Sequence, residues 1–172
     1  MFIKFIKDFS AKKILKKSLF NVKDNHSNDV VRTIGLLIDE TYFLEKEALI
    51  KSLVKNGIPE NKIKVLVYRD RLKKNEEYKY PTFSNKQIGW DGQINNEDVQ
   101  NFVKEKFDML ISYYDTEKLA LMLITNNSKA NFKVGFSTID KRLNHFMINT
   151  NAENYEVFTT ELFKYLRILN KV

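Results

Sequence analysis

Two groups of residues in this chain have types and positions suited to chemistry. The first is a set of acids and hydroxyls that follow short apolar runs. Asp39 and Glu40 close a run at 33–38, Tyr114, Asp115 and Thr116 follow one at 109–113, and Ser137 and Thr138 follow one at 132–136. Thr150 and Asn151 stand after a fifth run, at 145–149. Carboxylate oxygens are hard ligands, so two acids after the first run and one after the third can gather a cation such as Mg²⁺. With Trp90 these positions make up a candidate ligand pocket: Asp39, Glu40, Tyr114, Asp115, Ser137, Thr138 and Trp90.

The second group is basic. Seven lysines and a single Asp8 fall within the first 23 residues, so +6 of the net charge of +7 sits there. Clustered lysines gain from phosphate neutralisation and counterion release, which points to RNA or another anionic surface. Lys4, Lys7, Lys12, Lys13, Lys16 and Lys17 are the candidate docking residues. The segment has helix formers and no breaker. On a helical wheel Phe2, Phe5, Ile6 and Phe9 point opposite to Lys4 and Lys7, and then the polarity inverts. Ala11, Ile14, Leu15 and Leu19 take the side the first lysines held, and Lys12, Lys13 and Lys16 take the other. A helix lying flat on a bilayer needs one unbroken apolar face, so a membrane surface is the lesser expectation. Either the helix breaks near Ser10 or its halves meet different surfaces.

Other chemistries lack their residues. There is no cysteine, hence no disulfide and no thiolate metal site, which suits a reducing compartment. The chain holds five glycines and no Gly-x-Gly-x-x-Gly or Walker sequence after any run. His26 and His145 are far apart, and no Ser-His-Asp grouping can be drawn. No catalytic residue, metal ligand or cofactor is therefore assigned. No run of about 18 apolar residues is present, so no transmembrane segment is expected.

The elements that must position these groups are legible as alternation. Five apolar runs, at 33–38, 63–68, 109–113, 132–136 and 145–149, are separated by helical patterns, the signature of a parallel sheet with crossover helices. Helices are expected at 41–56, stopped by Gly57 and Pro59, from a cap at Asn95 or Asn96 through 106, and from Asp115 or Thr116 through 125. A last helix at 152–169 carries one apolar stripe through Tyr155, Phe158, Leu162, Tyr165, Leu166 and Leu169. Residues 69–94 break the alternation as a long irregular stretch, ordered by Tyr78, Tyr80, Phe83, Ile88 and Trp90.

Phe107-Asp-Met-Leu-Ile111, Leu119-Ala-Leu-Met-Leu123, Ala130-Asn-Phe-Lys-Val-Gly-Phe136 and the terminal Phe158-x-x-Glu161-Leu-x-x-Tyr165-Leu pattern resemble a small uncharacterised α/β family of flavobacteria and their relatives. That likeness spans nearly the whole chain and implies no activity. Residues 107–136 are also similar to the N-terminal half of heptosyltransferase-type glycosyltransferases, which would imply a half-domain without its donor site. The strand-end acids superficially resemble those of response-regulator receiver domains. Where that family has a lysine after the fifth strand, this chain has Asn149-Thr-Asn151.

The resulting expectation is a single three-layer α/β domain at 24–172 on a mostly parallel, five-stranded Rossmann-like or flavodoxin-like sheet, preceded by a basic helix at 1–23. Since every expected strand lies beyond it, that helix should be removable without unfolding the core. The expected function is a non-catalytic cytoplasmic binding or accessory protein docking on RNA or a ribonucleoprotein such as the ribosome. A protein partner would fit the same role. The alternative is a small enzyme or ligand-binding domain that uses the strand ends, with residues 69–94 as a lid.

Overall fold

The structure is a computed structural model that describes residues 11–13, 15–17, 19, 22, 29–89 and 92–172. Among the described residues six parallel strands form one sheet: β1 (Ile34–Asp39), β2 (Ile63–Tyr68), β3 (Thr82–Phe83), β4 (Met109–Tyr113), β5 (Phe132–Phe136) and β6 (Phe146–Ile148). Their spatial order is β3-β2-β1-β4-β5-β6, and all neighbours pair in parallel. This is the doubly wound order, in which the chain reverses direction between β1 and β4. Every residue of β1 and β4 is buried, as central strands covered on both faces require. Gly35 makes room in β1 for the other layer: a Cβ there would stand 2.6 Å from the Phe107 ring.

Among the described residues from 29 onward, four helices cover the sheet: α1 (Lys46–Lys55), α2 (Glu97–Lys104), α3 (Leu119–Asn127) and α4 (Tyr155–Ile168). Helix α1 packs beside α4, and α2 beside α3. Between the α1–α4 layer and the sheet, Tyr113 packs against Phe43, Phe136 and Phe158 with ring centroids 4.8, 5.1 and 5.0 Å apart. Below the sheet, the carboxylate of Asp108 accepts bonds from the backbone N–H of Arg32 and Thr33 and from the Thr33 hydroxyl, tying the starts of β1 and β4 together.

Several expectations are corrected here. The sheet has six strands because residues 69–94 are not irregular throughout. Val67 N–H donates to the Pro81 carbonyl at 2.9 Å, and Arg69 N–H to the Phe83 carbonyl at 3.0 Å, making β3 an edge strand. Two residues are too few for any periodicity to register, and a preceding proline is tolerated at an edge. A capping box on Ser84 and an antiparallel bridge between Ile88 and Ile94 organise the described residues between β3 and α2.

Helix α1 starts at Lys46, because residues 40–42 form a turn in which Asp39 accepts from Thr41 N–H at 3.0 Å. Helix α3 starts at Leu119 rather than at a cap on Asp115 or Thr116, and α4 spans Tyr155–Ile168 within the expected 152–169. Asn96 caps α2, accepting from Val99 N–H at 3.0 Å.

The described residues of the 11–22 stretch pack on the domain. Residues 11–13 and 15–17 are helical, and Leu15 and Leu19 are part of the hydrophobic core at 7% and 4% exposure. No helix among the described residues is long and apolar enough to cross a membrane.

Candidate functional site

The carboxyl end of the sheet at the β1/β4 reversal is where an open α/β fold places ligands. Asp39 ends β1 there, and its Oδ2 lies 2.7 Å from the ammonium of Lys118, the residue just ahead of α3. The same ammonium donates to Thr41 Oγ1 and to Asp70 Oδ1, each at 3.0 Å. A lysine has three N–H donors, and here all three have acceptors. The rings of Tyr68 and Tyr42 flank it, with centroids 4.9 and 5.4 Å away. Tyr68 also donates its hydroxyl to Asp70 at 2.9 Å. The crevice therefore holds an internal cation that neutralises Asp39, one of the acids that sequence spacing offered to a metal, together with Asp70.

Glu40 turns to the other side. It accepts from Lys46 and from Arg69 Nε, the latter at 2.7 Å, and its side chain is 4% exposed. Arg69 continues the chain of charges, reaching both oxygens of Glu76 at 3.3 Å and lying 5.0 Å over the Tyr78 ring. The Glu40 carboxylate, chiefly, raises the Arg69 guanidinium above its ordinary value. A cleft of about 160 Å³ opens between Glu40, Arg69, Glu76 and Tyr78, and the polar groups lining it largely satisfy one another.

The remaining positions do not converge on Asp39. Tyr114 is fully buried, its hydroxyl 2.8 Å from Thr125 Oγ1 under α3, so it belongs to the core and not to a pocket. Burial pushes its phenol far above the ordinary range. Asp115 Oδ2 accepts from Ala152 N–H at 2.8 Å, while its carbonyl accepts from Thr138 Oγ1 at 2.8 Å. Ser137 donates to Asn149 Oδ1 at 3.1 Å. These contacts stitch the ends of β4, β5 and β6 together. Among the described residues no three of His, Cys, Asp and Glu are grouped to hold a metal ion. Trp90 lies outside the described residues, as do Lys4 and Lys7.

The lysines at 12–17 divide by helical spacing. Lys12 and Lys16, one turn apart, converge on Glu117 Oε2 at 3.1 and 2.7 Å, and Lys12 also donates to the Glu117 carbonyl at 3.0 Å. Burial pushes the Glu117 carboxyl up, and the two ammonium groups outweigh that and hold it low. The other oxygen of Glu117 accepts from Asp140 N–H at 3.1 Å. Further along, Arg142 donates to the Leu19 carbonyl and accepts Val22 N–H through its own. Lys13 and Lys17, the next stripe around the helix, are exposed. A groove of about 520 Å³ is lined by Lys12, Lys13, Lys16, Lys17 and Glu117.

Glu117 and Lys118, the pivots of both clusters, were missed from sequence. One signal was available. A lysine directly ahead of a helix faces the positive end of the helix dipole, so it needs acids brought to it from elsewhere.

A model of the family of unknown function DUF6913 matches residues 7–169, and the chain belongs to that family. No curated protein matches it.

Proposed function

We propose that this member of the family is a non-catalytic accessory protein that docks through its basic N-terminal segment on the phosphates of an RNA-containing assembly, such as the ribosome, in the cytoplasm. The carrying observation is the way the segment is pinned. Glu117 holds Lys12 and Lys16, and Leu15 and Leu19 are buried, so Lys13 and Lys17 stand outward on a fixed ridge. A ridge held by the fold loses little side-chain and backbone freedom on docking, which favours affinity. The strand-end crevice supports a ligand less well, because its carboxylates are already occupied by Lys118, Lys46 and Arg69.

The test is fluorescence anisotropy of the full chain on structured ribosomal RNA across a salt series. Each lysine–phosphate contact contributes roughly 0.7–0.9 to the slope of log affinity against log salt. Lys13→Glu with Lys17→Glu should lower affinity at least about tenfold and flatten that slope by about 1–2. An unchanged slope and affinity in a folded double variant would remove RNA docking by this ridge.

A further inference from the structure

Helix α4 has a second patterned face. Its inner face, with Phe158, Leu162, Phe163 and Leu166, is buried against the sheet. On the outer face Val157, Glu161, Lys164 and Ile168 are spaced four, three and four residues apart, the spacing of a coiled-coil seam. Val157 is 49% exposed and Ile168 63%. Between them Glu161 and Lys164 lie 3.5 Å apart and remain open to solvent. Single exposed apolar residues are ordinary, but two closing a seam around opposite charges are not scattered.

The order along the seam is apolar, acid, base, apolar. In the reverse direction it is apolar, base, acid, apolar, which is its own electrostatic complement. We propose that α4 pairs with α4 of a second copy of this chain in an antiparallel, two-fold contact. Val157 then packs on Ile168 of the partner subunit, and Glu161 meets Lys164 of the partner subunit. An isologous interface needs such self-complementarity, because each contact occurs twice. A parallel pairing would instead set Glu161 against Glu161 and Lys164 against Lys164. With 14 residues the helix is about 21 Å long, so the contact falls among small, reversible interfaces. The contact goes beyond RNA docking and does not depend on it.

Sedimentation velocity of the full chain from low to high micromolar concentration tests this. The wild-type chain should pass from monomer to dimer, and Ile168→Glu should stay monomeric with an unchanged circular-dichroism melt. Glu161→Lys sets lysine against Lys164 of the partner subunit twice and should weaken the dimer at least about tenfold. Adding Lys164→Glu should restore it. A wild-type chain that stays monomeric, a dimer that survives Ile168→Glu, or a folded double charge swap that fails to recover would each overturn the proposal.

Discussion

Lys118 pairs with two acids of the crevice, Asp39 and Asp70. Its side chain is 14% exposed and that of Asp39 9%, while that of Asp70 is 44% exposed, so removing the ammonium strands chiefly the buried Asp39 carboxylate. Lys118→Met should cost about 3 kcal/mol in urea denaturation, since breaking a buried pair strands its partner. The cost should be smaller when Asp39→Asn is already present, as a double-mutant cycle would show.

Asp140 offers a pH test at the same scale. Arg142 grips both of its oxygens, at 2.9 and 2.6 Å, and this bond chiefly lowers the Asp140 carboxyl from 3.8 to about 2. A depressed carboxylate stabilises the fold above its unfolded pKa and loses that contribution as pH falls through the folded value. Asp140→Asn should therefore cost up to about 2 kcal/mol at pH 7. Denaturation curves between pH 4 and pH 2 should show the gap closing. A penalty independent of pH would mean that Arg142 is not its source. Sequence showed where Asp39 and Glu40 stand. It did not show Lys118 or Arg69 beside them, because those partners arrive from other strands and crossovers.

The N-terminal segment is the element whose reading changed most. Its inverted polarity was legible, with Leu15 and Leu19 on one side and Lys12 and Lys16 on another. Periodicity does not say what covers an apolar stripe, and here the domain itself does. Leu19 is 4% exposed, so Leu19→Ala should destabilise the whole domain by about 2–4 kcal/mol, read as a cooperative shift in thermal or chemical unfolding. A neutral result would return the segment to the removable arm expected from strand positions alone. The other elements erred mainly at their ends. Helix α3 begins past Asp115 because that carboxylate is drawn to Ala152 N–H and does not cap the helix.

At the scale of the molecule, the sequence by itself determined the class: apolar runs alternating with helices, nearly continuous at 33–38 and 109–113 as central strands covered on both faces are. Burial is a property each strand shows in its own residues, so composition reports it. Tertiary structure decided the rest. Strand order places β1 between β2 and β4, and only that order brings Asp39, Asp70 and Lys118 to one crevice. The two-residue β3 exists because the β2 edge offers it N–H groups, with no preference of its own to announce it. Lys12 and Lys16 lie against the domain because Glu117, far along the chain, pairs with both. Local sequence encodes which side chains leave water. Which ones then meet depends on contacts between distant segments, which no window of neighbouring residues contains.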